Sequence, residues 1–194
     1  MVGISRMLIS LLALATLFVS TSASAQRLQV WNGSAWVNNG VVNYTGPVIV
    51  KHLGNSVPCT ANWTLTISGG FGKSGGVGSI TNMAESGSAT CTGSAPQNLP
   101  WPTTESAYSG PNPPISNAPT LTLPIHAIRI SGVRVYVPAP LNVHCPSSTG
   151  SGTIDGFMED GGAIVFYAIL GPCIFQTRPG FRLIPNMPVR VTWI

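Results

Sequence analysis

Few residues in this chain have the types and spacing that chemistry needs, and each set falls short of its pattern. Gly69-Gly-Phe-Gly-Lys73-Ser74 ends in the Gly-Lys-Ser of a phosphate-binding loop, but the position that must hold the leading glycine holds Ile67. The segment is expected to be a glycine-rich hairpin or loop tip. Asp155, Glu159 and Asp160 place three of the five acids within six residues. They lack the alternating spacing of a calcium loop, and a carboxylate pair for glycoside hydrolysis would have to come from the same small pool. A solvated turn before Gly161-Gly162 is expected there. Asp155, any of His52, His126 and His144, and one of many serines supply the residue types of a Ser-His-Asp triad, yet no G-x-S-x-G elbow occurs. No C-x-x-C occurs either, and the histidines lack ligand spacing. His144 and Cys145 are adjacent, which on a strand sends them to opposite faces. The residues thus point to a chain that is not an enzyme and takes no metal or cofactor.

The cysteines read better as crosslinks. Cys59, Cys91, Cys145 and Cys173 are an even set, which in an exported chain suggests two disulfides with three connectivities open. The Pro-rich stretch separating Cys91 from Cys145 favours local pairing, each bond closing a loop of roughly 30 residues. Export itself is read from the N-terminus. Met1 to Arg6 is weakly basic, Met7 to Val19 is a compact apolar run, and Ala23 and Ala25 hold the −3 and −1 positions of a cleavage site before Gln26. Thirteen residues are too few to span a bilayer, which takes about 20, so residues 1–25 are expected to be a cleaved signal peptide. No second long apolar run follows, and the expected product is secreted or attached to the cell surface.

The elements that would carry these residues have a period of two. Only 7% of the 194 residues are charged, against about 25% in an average domain. The basic residues are scattered singly, which excludes a nucleic-acid groove. A mean hydropathy of +0.31 with a net charge of +4 excludes disorder. Cys59, Ala61, Trp63, Leu65 and Ile67 alternate on one face of a half-buried strand, and Val189, Val191 and Trp193 do so at the C-terminus. Trp63 and Trp193 are expected in the core. The apolar parity from Ile128 to Val137 slips at Gly132, which marks a bulge or tight turn. Asn32-Gly33, between Val30-Trp31 and Trp36-Val37, signals a hairpin. Ala163 to Leu170 is continuously apolar and reads as a central strand buried on both faces, with a short buried helix as its rival. The expected fold is all-β, a single disulfide-stapled antiparallel sandwich or flattened barrel. Its expected organisation is an N-terminal strand or hairpin extension over 26–55 and a β-domain over 56–194. Seven prolines make residues 94–120 a crossover loop rather than a strand. Sequons at Asn32, Asn43 and Asn62 arise easily in so Asn-, Ser- and Thr-rich a chain and carry no argument.

Local patterns around the cysteines carry a resemblance. Val57-Pro-Cys-Thr-Ala61 opens an alternating strand, and Ala89-Thr-Cys-Thr-Gly93 is followed by Leu99-Pro-Trp-Pro102. Ile130-Ser-Gly-Val-Arg-Val135 leads to Val143-His-Cys-Pro and a Gly/Ser/Thr-rich stretch, and Leu170-Gly-Pro-Cys173 closes the series. In order and spacing, from about Pro58 to Pro185, this resembles the alkane-oxidation activator (PraB-type) family of small exported bacterial proteins. The aromatic segment Gln26 to Asn55 and the long Pro-rich crossover depart from the family pattern. The resemblance implies an exported, non-catalytic protein linked to growth on hydrocarbons, with a hydrocarbon or lipid-like interface as partner. Trp31, Trp36, Trp101 and Tyr108 lie in turn-rich or Pro-rich segments and are the candidates for presenting apolar rings to such an interface. The rival expectation is a subunit of an extracellular fibre, biofilm matrix or adhesin. It would self-associate by strand addition through Arg27 to Val37 or Val189 to Ile194.

Overall fold

The computed structural model of the chain describes residues 26–69 and 77–193. The expected signal peptide, most of the glycine-rich tip, Ile194 and the Trp193 side chain lie outside the described residues. The strands run in order as β1 (Gln26–Trp31), β2 (Trp36–Val37), β3 (Gly40–His52), β4 (Asn55–Ser68) and β5 (Val77–Ser86). One short helix, α1 (Ala89–Thr92), precedes β6 (Ala95–Gln97), β7 (Trp101–Ala107), β8 (His126–Val137), β9 (Val143–Cys145) and β10 (Gly152–Met158). Then come β11 (Ile164–Leu170), β12 (Cys173–Thr177), β13 (Ile184–Pro185) and β14 (Val189–Trp193).

Between the sandwich and the barrel, the chain forms the barrel. Strands β10, β11, β12, β3, β4, β5, β7 and β8 neighbour one another in that order, and β8 also pairs with β10, closing eight antiparallel staves. Alternation decides what fills it. Val42, Tyr44, Val48 and Val50 of β3, and Cys59, Ala61, Trp63, Leu65 and Ile67 of β4, all face inward and are buried. Gly132 sits at φ 77 in a register slip between β8 and β10. The extra residue lets Ile128 and Ile130 before it, and Val133, Val135 and Val137 after it, point the same way. Residues 26–55 supply β1, β2 and the stave β3, whose hairpin with β4 runs through thirteen pairs from Gly40–Ile67 to His52–Asn55.

The two ends are closed differently. Cys59 joins Cys91 and Cys145 joins Cys173, across 32 and 28 residues, both at the end that carries the β3–β4 turn. By loop length each is worth about 3–4 kcal/mol in the chain-entropy account. The opposite end is covered by a three-stranded sheet in which β1 lies between β14 and β2. Leu28 and Val30 of β1 reach the barrel core. The two segments expected to exchange between copies therefore pair with each other, from Gln26–Trp193 to Val30–Val189.

Three expectations are corrected. Residues 94–120 are not one loop: β6 and the stave β7 lie within them, because the inward register of Trp101 and Thr103 outweighs the flanking prolines, and the crossover proper is the connection 108–125 between β7 and β8. Ala163 to Leu170 does form a strand, β11, but it is not buried on both faces. Phe166, Ala168 and Leu170 point inward, whereas Tyr167 and Ile169 are 41% and 65% exposed on the outer wall. A barrel stave has one solvent side unless something covers it, and the crossover covers only Val165, through Leu121 and Ile125. The turn at 159–162 is not simply solvated either. The Glu159 carboxylate is buried, ion-paired with Arg182, and accepts the Thr122 N–H at 2.7 Å. It thereby ties the crossover to the barrel.

Candidate functional site

The outer wall of β11, β12 and β3 carries two rows of side chains that the core does not use. Ile169 lies opposite Ile174, which lies opposite Lys51; Tyr167 lies opposite Gln176, which lies opposite Ile49. Strand alternation puts these residues outside, because their neighbours Ala168, Leu170, Cys173, Phe175 and Val50 are buried inside. Beyond one end of the rows, the β3–β4 turn holds Leu53 at φ 46 and Gly54 at φ 81. Two consecutive positive φ values favour Asn-Gly. Leucine in the first of these positions is strained, and its side chain is 84% exposed.

A wall rises along the other end of the rows. In the crossover, Ala118 N–H donates to the Ile115 carbonyl at 3.1 Å, forming a turn with Asn117 at φ 65. Gly180 N–H donates to the Asn117 carbonyl at 2.9 Å and Arg178 N–H to the Pro47 carbonyl at 3.0 Å, fixing this turn over β12. The result is a groove of about 550 Å³ between Ile115–Ala118 and a floor that includes Tyr167, Gln176, Arg178 and Lys51. A shallower hollow of about 210 Å³ continues past Lys51 to Leu53, Pro172 and Ile174. Arg178 stacks over Phe181 with 5.5 Å between guanidinium carbon and ring centroid.

The four expected interface aromatics do not form one surface. Trp31 and Trp36 face each other edge-on at 5.6 Å, half-buried, with the Arg190 guanidinium 4.4 Å over the Trp36 ring. Tyr108 is half-buried against Phe157 at 4.7 Å, and its hydroxyl donates to the Pro111 carbonyl at 2.9 Å. Trp101 is corrected outright. It is fully buried, and its indole N–H donates to the Gln97 carbonyl at 2.9 Å. Although flanked by prolines, it opens β7 on the inward face, opposite Ile80. Sequence reasoning missed the outer-wall residues. Their signal in the sequence is the unbroken apolar run of β11, which fits burial on both faces as well as an exposed outer face.

Among the described residues the interior holds several polar groups beside one small cavity. A cavity of about 20 Å³ is lined by Tyr44, Trp63, Thr103 and Glu105 among apolar side chains, room for about one water molecule. Thr103 donates to Glu105 at 2.7 Å. Burial raises the Glu105 carboxyl above its ordinary range, with Thr103 and Arg27 opposing. Burial, with the Glu105 charge adding to it, raises the Tyr44 phenol far above the usual phenol range. Nearer the disulfide end, burial pushes Glu85 up from 4.5 to about 7, opposed by the Ser94 hydroxyl. Desolvation lowers His126, with Asp160 opposing. Among the described residues no group of three or more His, Cys, Asp or Glu is disposed to hold a metal ion, and no helix is long and apolar enough to cross a membrane.

Taken together these features define a small, disulfide-stapled β-barrel whose outer wall at β11 and β12 carries exposed apolar side chains. The family model described as alkane oxidation protein activator PraA/PraB-like matches residues 1–183, and the chain belongs to that family. No curated protein and no solved structure matches it.

Proposed function

We propose that this chain is an exported, non-catalytic accessory protein that promotes alkane oxidation by meeting the hydrophobic substrate at its own outer wall. The observation that carries this reading is the outward-facing cluster of Tyr167, Ile169 and Ile174 on neighbouring strands, with the strained, exposed Leu53 beyond it. Together they form an apolar strip that contributes nothing to the core. Membership of a family of alkane-oxidation activators supports it, as do two disulfides, which persist in oxidising compartments. Among the described residues the barrel interior is occupied by its own side chains, which favours contact at the wall. Trp31 and Trp36, half-buried on the terminal sheet, are the second apolar element. Attachment to hexadecane droplets tests the reading. The parent protein should leave the aqueous phase onto the droplets, and the double variant Tyr167→Ser/Ile169→Asp should remain in water. Equal attachment of both proteins would overturn the assignment of this wall.

A further inference from the structure

The wall that the proposed function uses is not neutral. Lys51 and Arg178 both line the groove under the crossover, and Lys51 also lines the hollow that continues from it. No carboxylate lines either one, and neither cation is in an ion pair among the described residues. The chain has only five acids. Three of them are accounted for elsewhere: Asp155 on Arg129, Glu159 on Arg182, and Glu85 buried inside. A floor in which Tyr167 lies beside two positive charges in no ion pair, bounded by one built wall and continued by the apolar Leu53, Pro172 and Ile174, suits an anion with a hydrocarbon tail.

Resting on the reading above, we infer that the groove binds a single-chain amphiphile with a carboxylate head, such as a medium- or long-chain fatty carboxylate. Arg178 is the head-group partner. Its planar guanidinium matches a carboxylate through two parallel N–H donors, and its stacking on Phe181 holds the plane at the groove's rim. Lys51 adds a second positive charge along the floor, and its methylenes lie beside the tail. From Arg178 the β12 strand runs to Ile174 and the turn at Pro172. At about 3.3 Å per residue these six steps are roughly 20 Å, enough to accommodate an extended chain of about twelve carbons. The tail lies over Tyr167, Ile174 and Leu53. The class of reaction that supplies such a ligand is the terminal oxidation of an alkane to its acid, so the site would recognise an oxidised product, not only the neutral substrate.

The test titrates the disulfide-intact protein with dodecanoate below its micelle concentration, by calorimetry, beside dodecanol as the uncharged match. The expected result is one site per chain, with dodecanoate about fivefold tighter than dodecanol, the scale of an ion pair at an exposed position. Arg178→Gln should weaken dodecanoate about fivefold and Lys51→Gln about twofold, while dodecanol stays unchanged. Both side chains lie outside the core, so unchanged melting curves will verify that the variants fold. Equal affinity for acid and alcohol, or undiminished dodecanoate binding by both variants, overturns the inference. Binding to anionic phosphatidylglycerol vesicles without binding to monomeric dodecanoate also overturns it. Hexadecane attachment by the parent separates the two levels. If it persists while the charge preference fails, the wall meets neutral hydrocarbon alone. If it fails while dodecanoate binds, the groove stands and the proposed function falls.

Discussion

Ile169 sits directly opposite Ile174 across the β11–β12 ladder, and both side chains point away from the barrel. The inward neighbours of this pair already complete the core, so the fold draws little from it. Ile169→Thr should therefore leave chemical-denaturation midpoints within about 0.5 kcal/mol of the parent. Attachment to hexadecane should fall severalfold. A loss of stability above about 2 kcal/mol would show that the pair serves packing instead.

Leu53 predicts a trade between stability and function. A leucine at φ 46 costs about 1 kcal/mol relative to a residue that tolerates the left-handed region. Leu53→Asn keeps the β3–β4 turn and relieves that strain. The melting temperature should rise while hydrocarbon attachment falls. A variant that melts lower would show that Leu53 is held by contacts the turn needs.

Trp101 and Trp36 separate core from surface. Trp101 is fully buried, so Trp101→Ala should cost about 3–5 kcal/mol in urea denaturation. Trp36 is half-buried, packed on Trp31 and under Arg190, and Trp36→Ala should cost about 1 kcal/mol. Similar costs for the two would contradict their placement.

How much of this was legible in the sequence depended on which neighbour fixed each residue. The alternation of Cys59 to Ile67 and the parity slip at Gly132 are local, and both appear in the barrel as read. Closure is not local. It depends on β8 pairing β10 as well as β7, and the choice between sandwich and barrel lies in that single ladder. Trp101 was misplaced because flanking prolines suggested a loop, while the inward register opposite Ile80 decided its burial. The β11 run was misread for the converse reason. An apolar residue on a strand's outer face looks the same in sequence whether a layer covers it or solvent does. Only the path of the crossover, which stops over Val165, tells them apart. The Glu159 clamp was invisible because Arg182 and Thr122 approach it from far along the chain.

Glu85 gives the barrel a pH dependence of definite sign. Its folded-state value, about 7, lies above the ordinary 4.5. Between these values the unfolded chain gives up its proton while the folded chain keeps it, so stability falls as pH rises, by about 3 kcal/mol in all. Glu105 acts in the same direction. His126, whose value is lowered, acts oppositely and destabilises the fold as pH drops below the ordinary histidine range. Glu85→Gln should match the parent near pH 4 and exceed it at pH 8 by about 2–3 kcal/mol in denaturant titrations. An unchanged pH profile would show that Glu85 ionises freely in the fold.

Glu159 tests whether the crossover is a wall or a tether. Its carboxylate holds Arg182 and the Thr122 N–H from a buried position, and Asp160 N–H donates to the Thr122 carbonyl at 3.2 Å beside it. The crossover's other anchors include Tyr108 against Phe157, Leu121 and Ile125 against Val165, the Gly180–Asn117 hydrogen bond and the Arg182 hydrogen bond to the Thr120 carbonyl. Glu159→Gln removes the charge that compensates Arg182 and weakens the acceptor, which should cost about 2–3 kcal/mol. The released free energy should appear locally. Residues 108–125 should become more readily cleaved by a nonspecific protease than in the parent, because the buried carboxylate ties this segment to Arg182 and the barrel. The groove loses its Ile115–Ala118 wall in the same event. Hexadecane attachment, which needs only the strip of Tyr167, Ile169 and Ile174, should survive the substitution, whereas dodecanoate binding should weaken. Equal loss of both would mean that the crossover itself, and not the strand face beneath it, meets the hydrocarbon.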